Sequence, residues 1–366
     1  MPKQVLIWPS PWDCRLKNSI FESGFSLRGQ FRRAYSLWRE LALQQGIELN
    51  TYDMKPLEKA DVLWFINMPL TKSEYVRVKR SAPQARTVLQ VNESPIVAPL
   101  MFHSANQQLF DYVVSYDTNQ CDEERCFEYR LPFTVEFPQR NPSFRDRRPL
   151  VMVNSNRVEG YFSMRQLGLT GLPGIGRLFS GWRVGLSDLL APAKGELYGV
   201  RRNLAREAEK FPEPLLDLFG GGWNGEQISW FDFYPNRPYR SLRKNLVEDK
   251  LNVLSNYRFT VAFENYRGNY GYIDVKVFDG FLAGTVPVYL GEERISDFVP
   301  SDAFVDARNF KNNWELLRYL ESCPESEWQT MREAGQSFLR SEKSLRFSDE
   351  AYAERMLAIL GKILKS

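Results

Sequence analysis

The sequence predicts an α/β fold built from two consecutive units, each a parallel sheet covered by helices. Short β-branched and aromatic runs alternate with amphipathic helical patterns along the chain. A Pro- and Arg-rich stretch at residues 137–149 separates two such series and reads as a linker. The length, 366 residues, exceeds what one hydrophobic core usually serves, so two domains are the natural division.

In the first unit, residues 5–8 read as a strand. Residues 31–45 read as a helix, with Phe31, Ala34, Tyr35, Trp38, Leu41 and Ala42 at helical spacing and Gly46 as the stop. Strands follow at 47–52, 62–66, 87–91 and 110–116, with a helix at 75–81. The 87–91 strand runs into Asn92-Glu93-Ser94-Pro95. The second unit opens with a strand at 150–154, then a charged helix at 196–211 that carries Arg201, Arg202 and Arg206. A strand at 215–219 leads into Gly220-Gly221-Gly222, read as a flexible loop, and residues 223–243 are aromatic and Pro-rich with weak periodicity.

Residues 257–291 (YRFTVAFENYRGNYGYIDVKVFDGFLAGTVPVYLG) combine a strand, a polar Gly/Tyr/Asn loop, a short helix and another strand. Helices are predicted at 313–319 and 325–340. The tail, 350–365, is amphipathic, with Tyr352, Met356, Ile359, Leu360 and Ile363 on one face. Docking on its own protein and contact with a membrane surface both suit such a face. The expected divisions are 1–145, 146–345 and 346–366: two Rossmann-like domains facing across a cleft, and a C-terminal helix.

Composition narrows the function. Hydrophobic residues make up 43% and charged residues 25%, ordinary for a globular protein, while aromatics reach 14%, which suits a sugar-handling cleft or simply bulky cores. The net charge of +3 is too small and too spread out to argue for nucleic acid. Cys14, Cys121, Cys126 and Cys323 fit no zinc spacing, and a reduced cytosolic protein is the simplest expectation. The one histidine, His103, excludes a multi-histidine metal site and reads as a loop or packing residue. No apolar run approaches ~18 residues, so no membrane span is expected, and the N-terminal run is too short for a signal peptide. There is no GxGxxG; Gly174-Ile175-Gly176 has neither the spacing nor the strand-to-helix setting.

Several residues sit where chemistry is expected. In open α/β sheets, ligands bind outside the carboxyl ends of the strands, and Glu93 and Asn265 both follow strands. Glu93 reads either as a base accepting a proton from an incoming hydroxyl or as part of a surface turn. Arg202 and Lys276, near the starts of separate helices, read as a pair converging on a diphosphate, with Arg202 alternatively a solvated helix charge. Glu264 and Asn265 read as partners for ribose or sugar hydroxyls, or as groups satisfying loop backbone. Asp274 reads as a helix N-cap.

The central stretch resembles the α-1,3/1,4-fucosyltransferases of glycosyltransferase family 10. The shared pattern appears as Tyr257-Arg258-Phe259, Phe263-Glu264-Asn265, Gly271-Tyr272-Ile273-Asp274-Val275-Lys276 and Gly284-Thr285-Val286-Pro287-Val288-Tyr289-Leu290-Gly291. It continues into Asp302-Ala303-Phe304 and Asn309-Phe310. Upstream, Asn92-Glu93-Ser94-Pro95, residues 109–116 and Arg202-Asn203 match in order, so the resemblance covers roughly residues 87–340.

This resemblance implies a GT-B fold, with an N-terminal acceptor-side domain and a C-terminal nucleotide-sugar-binding domain. It implies inverting transfer of L-fucose from GDP-fucose to a glycan hydroxyl, α-1,3-type, with no cofactor and no metal in the chemical step. Carried over, Glu93 is the general base, Arg202 and Lys276 hold the diphosphate, and Asn265 and Tyr272 contact the donor. A bacterial-type surface glycan, such as lipopolysaccharide O-antigen or its lipid-linked precursor, is the expected acceptor. The expected setting is the cytoplasm, with peripheral association at the inner face of the membrane through that acceptor or the C-terminal helix.

One departure stands out. The family's Thr-Glu-Lys is Asp274-Val275-Lys276 here, and its Glu, which contacts the nucleotide ribose, is replaced by Val275. Asp274 offers a carboxylate one residue earlier, but one residue on a helix turns a side chain by ~100°. A different GDP-deoxysugar donor and an inactive glycan- or nucleotide-binding relative are the alternatives this departure raises.

Overall fold

The computed structural model describes residues 2–10, 16–22, 31, 33–69, 71–156, 181–183, 195–223, 239–244, 249–268 and 271–366. Gly174-Ile175-Gly176, Cys14 and most of 223–243 lie outside them. The described chain forms two six-stranded parallel sheets. The first contains β1 (Lys3–Trp8), β2 (Ile47–Thr51), β3 (Val62–Ile66), β4 (Arg86–Gln90), β5 (Tyr112–Ser115) and β6 (Cys126–Glu128), with α1 (Ala34–Gln44), α2 (Lys72–Ser81) and α3 (Ser104–Gln107) between them. Its order is β2-β1-β3-β4-β5-β6.

The second unit contains β7 (Arg148–Val153), α4 (Tyr198–Ala208), β8 (Leu216–Phe219), β9 (Leu242–Lys244), α5 (Lys250–Leu254), β10 (Tyr257–Phe263), α6 (Lys276–Leu282), β11 (Val286–Leu290) and β12 (Val305–Asp306). Helices α7 (Asn313–Ser322), α8 (Glu325–Leu339), α9 (Glu342–Leu345) and α10 (Asp349–Ile363) follow. The sheet order is β12-β11-β10-β7-β8-β9. The unit's first strand is therefore central, and its successors build outward first to one side and then to the other. The switch in direction lies between β7 and β10, the place where open α/β sheets form a ligand crevice at the strands' carboxyl ends.

Strand periodicity builds the layers. Along β10, Phe259, Val261 and Phe263 pack with Leu204, Ala205 and Ala208 of α4 and with Leu316, Leu317 and Leu320 of α7. Ala262, pointing the other way, packs with Val277, Phe278 and Phe281 of α6 and with Phe338 of α8. Both faces of the strand are covered, so its sequence is apolar throughout rather than alternating.

The C-terminal helix returns to the first unit. Tyr352, Met356, Ile359, Leu360 and Ile363 are all buried and join the core that holds Ala34, Tyr35, Trp38 and Ala42 of α1. The apolar face that suited a membrane surface is thus taken up by the protein's own core.

Several expected boundaries move for physical reasons. The first helix begins at Ala34 rather than 31, because Phe31 has φ 58° and cannot continue a right-handed helix. Helix α2 begins at Lys72, three residues before the apolar pattern shows it, because Thr71 caps it by accepting from the Glu74 N–H at 3.2 Å. The linker's last residues, Arg148 and Pro149, already belong to β7.

A Met356→Ala variant is expected to lose about 2–5 kcal/mol of folding stability, the usual loss for truncating a fully buried Met. Urea unfolding measures it, and an unchanged midpoint would mean that α10 does not share the first unit's core.

Candidate active site

The β7–β10 crevice is lined by what immediately follows those strands. Residues 220–222, expected as a flexible loop, are tied to the exit of β7: the Asn156 N–H donates to the Gly221 carbonyl at 2.8 Å, and Trp223 Nε1 donates to the Asn154 carbonyl at 2.6 Å. The exit of β10 carries Glu264 and Asn265, and the chain returns from residue 271 into α6.

A buried ion cluster forms where that loop closes. The Glu264 side chain has no exposure at all. Its carboxylate accepts from the Asp274 N–H and from Lys276 Nζ, both at 2.9 Å. Lys276 Nζ also donates to Asp274 Oδ2 at 2.5 Å. Burial pushes Glu264 above the usual carboxylate range. It does the same to Asp274, but the Lys276 ammonium outweighs it and holds that carboxyl low. Burial pulls Lys276 down, and the two carboxylates outweigh it and leave its pKa raised. Lys276, expected as a cation awaiting a diphosphate, therefore already has two carboxylate partners.

Asp274 does not play the capping role expected of it. Residue 275 occupies the cap position of α6, with no side-chain cap hydrogen bond. The Asp274 carboxylate instead accepts from the neighbouring Val275 N–H at 2.8 Å and from Lys276. The Val275 side chain packs into the apolar cluster with Val277, Phe278 and Phe133.

A second cation joins the cluster from α4. Arg201 is 3% exposed, and its Nη2 donates to the Phe263 carbonyl at 2.5 Å and to Asn265 Oδ1 at 2.9 Å. The guanidinium lies over the Tyr198 ring, 5.1 Å from its centroid. Burial lowers the Arg201 pKa, while the Tyr198 hydroxyl and then the carboxylates of Glu264 and Asp274 act the other way. Because Arg201 donates to Oδ1, the amide NH2 is the group that Asn265 presents. Arg202, the residue singled out from the sequence, is only half-buried. The signal for Arg201 was present: it shares a helical face with Tyr198, Leu204, Ala205 and Ala208, all buried.

Tyr272 connects the two units. It is buried in the first unit's core and meets Tyr116, which follows β5, at a centroid distance of 5.1 Å. Burial raises its hydroxyl pKa, reinforced by Asp274, Glu264 and Glu93. Glu93, half-buried after β4, thus lies within electrostatic reach of the same phenol as the β10 cluster. The approach is close: a Cβ on Gly271, at φ +99°, would stand 2.4 Å from the Tyr116 carbonyl oxygen. The structure therefore brings together Glu264, Asn265, Tyr272, Asp274 and Lys276 on one wall, adds Arg201, and sets Glu93 on the other. Among the described residues, no group of three or more His, Cys, Asp or Glu side chains could hold a metal ion.

Comparison with known proteins bears on this cleft. Residues 219–332 match the family model described as glycosyltransferase family 10 (fucosyltransferase), C-terminal. The Helicobacter pylori α-(1,3)-fucosyltransferase FucT is 26% identical over 223 residues, which cover 60% of this chain and 41% of that protein. Mouse 4-galactosyl-N-acetylglucosaminide 3-α-L-fucosyltransferase 9 is 36% identical over 80 residues, 21% of each chain. The chain thus spans less than half the length of these curated relatives.

Among solved structures, an α1,3-fucosyltransferase crystallised with GDP-fucose matches with a TM-score of 0.53 at 17% identity, covering 100% of this chain and 91% of that one. Anabaena HepE in complex with UDP and glucose matches with a TM-score of 0.54 at 12% identity, covering 99% and 100%. At these identities the likeness is one of fold, and the two parallel sheets are the GT-B arrangement of these glycosyltransferases.

Replacing Lys276 with Met leaves the buried Glu264 carboxylate without its ammonium partner. A loss of about 3–5 kcal/mol is expected at pH 7. Because the folded-state pKa of Glu264 is raised, the penalty is fully present above that pKa and is relieved as the pH falls through it toward the unfolded value near ~4.3. The gap in urea midpoint between variant and wild type should narrow from pH 7 to pH 5; a constant gap would sink the assignment to Glu264.

Proposed function

Because residues 219–332 match the glycosyltransferase family 10 (fucosyltransferase) C-terminal model, we propose that this chain is an inverting fucosyltransferase that moves L-fucose from GDP-fucose to a hydroxyl of a glycan acceptor. An α-1,3-type linkage is part of the proposal. One observation carries it. The switch point of the second sheet gathers Asn265, Tyr272, Asp274 and Lys276 at one wall of the cleft, with Glu93 within electrostatic reach on the other.

In the proposed reaction, the acceptor oxygen attacks C1 of fucose as the bond from C1 to the β-phosphate oxygen breaks. The electron pair leaves with GDP, and the acceptor proton passes to the Glu93 carboxylate. Charge grows on the diphosphate as it leaves, and fixed cations lower the barrier most where that charge develops. Arg202 and Lys276 take this role, with no metal in the chemical step. Lys276 is shared with two carboxylates before the donor arrives, so the diphosphate competes with Asp274 for it. The amide NH2 of Asn265 and the buried Tyr272 face the donor, and Glu264 holds the Lys276 end of the cluster in place.

The N-terminal domain, residues 1–145, serves the acceptor and residues 146–345 the donor. A cytoplasmic setting belongs to the same proposal. Among the described residues no helix is long and apolar enough to cross a membrane. With the apolar face of α10 buried, a lipid-linked acceptor is the proposed route to the membrane surface.

A second reading keeps the chemistry and changes the sugar. Val275 lies in the apolar cluster, so no carboxylate stands where the family's ribose contact does, and another GDP-deoxysugar becomes a candidate donor. Competition between GDP-fucose and a different GDP-6-deoxyhexose, such as GDP-rhamnose, read by calorimetry, separates the two.

The test of the base is Glu93→Gln. Turnover, measured as GDP released from GDP-fucose with N-acetyllactosamine or water as acceptor, should fall by about 10²–10⁴-fold. GDP-fucose affinity should stay within twofold. Wild-type turnover in the variant would remove Glu93 from the chemistry, and absent turnover in the wild type despite GDP-fucose binding would favour an inactive binding relative.

A further inference from the structure

The residue just before Glu93 is the centre of a polar network whose aromatic members, Tyr35, Trp64, Tyr129 and Tyr352, lie in the first unit's core. Asn92 Oδ1 accepts from Gln90 Nε2 at 2.7 Å and from Tyr129 OH at 2.6 Å. Asn92 Nδ2 donates to Tyr35 OH at 3.1 Å, and the Asn92 N–H donates to Asn67 Oδ1 at 3.0 Å. Gln90, fully buried, also donates from Nε2 to Tyr352 OH at 2.9 Å, and its Oε1 accepts from Trp64 Nε1 at 2.8 Å. On the other side of the loop, the Glu93 carbonyl accepts from Tyr116 OH at 3.0 Å.

We propose that Tyr352 of α10 and Tyr35 of α1 are positioning residues for Glu93, acting through Gln90 and Asn92. The proposal rests on Glu93 being the base of the transfer. One general argument and two observations carry it. A buried polar network is no better for stability than well-packed apolar side chains would be, so what it supplies is a fixed geometry. The network sits at the carboxyl ends of β3 and β4, at the mouth of the cleft. Asn67 also holds a left-handed backbone, φ 60°, an uncommon conformation that lets its N–H reach the Gln90 carbonyl while its Oδ1 reaches Asn92. The C-terminal helix, remote in sequence, thereby reaches Asn92, the residue that precedes Glu93, through Gln90.

The experiment is a double-mutant cycle on full-length protein, with GDP release from GDP-fucose as the readout and N-acetyllactosamine or water as acceptor. Tyr352→Phe removes one hydroxyl and keeps the ring. Its kcat should fall by about 10–100-fold, the scale of a base misplaced by about 1 Å, with the KM for GDP-fucose within twofold. On a Glu93→Gln background, Tyr352→Phe should cause no further loss in residual turnover. Tyr35→Phe, which acts from a different helix, should repeat the pattern and keeps the test open if Tyr352→Phe fails to fold. Met356→Ala, which weakens the same helix without touching the network, should lower the urea midpoint and spare kcat. Wild-type kcat in both tyrosine variants, or equal fractional losses with and without Glu93, would overturn the proposal. A Glu93→Gln enzyme that turns over normally would instead overturn the base assignment on which it rests.

Discussion

The second unit is organised around a lysine held between two carboxylates. Glu264 ends β10 in a place that excludes water, where a carboxylate must either keep a proton or find a cation. Lys276 is that cation, and it reaches Glu264 only if the first turn of α6 stands against the end of β10. Two glycines follow from this. A Cβ on Gly291 would stand 2.4 Å from Glu264 Cγ, so β11 can exit beside the cluster only without a side chain there. The returning loop passes so near the Tyr116 carbonyl that Gly271 must also lack one. The second contact belongs to the other unit, so the loop that closes the ion cluster also bears on how closely the two halves meet.

Much of the fold was legible because the strands are long enough and covered on both faces. The VLWFI strand at 62–66 is read at its true ends, since apolar runs buried on both sides stop where burial stops. Short edge strands were not legible: β6, β9 and β12 hold three, three and two residues, too few for any period. The start at Lys72 was read late, because capping by Thr71 leaves no apolar mark.

The site was legible in its members and illegible in its pairings. Glu264, Asp274 and Lys276 could each be named from pattern. That they neutralise one another depends on a loop bringing residue 276 back to residue 264, which no local rule reports. Arg201 shows the same limit from the other direction. Two adjacent arginines look alike in a charged helix, and only the apolar company of Tyr198, Leu204 and Ala205 marks which one turns inward.

The two units present opposite chemistry at the cleft. The β7–β10 crevice holds Arg201 and Lys276 near Glu264 and Asp274, so its charges balance when both carboxylates are ionised, and in the proposed reaction Lys276 trades a carboxylate for the diphosphate. The ends of β3 and β4 hold amides and phenols, neutral groups whose hydrogen bonds are already spent on one another. Such a network has little to offer a ligand and little to exchange. A charged wall suits a leaving group whose charge grows during the reaction, because its cations already stand where that charge develops. A neutral, saturated wall suits a base that must stand still while a proton moves to it. The division of chemistry across the cleft thus matches the division of tasks that the proposed transfer requires.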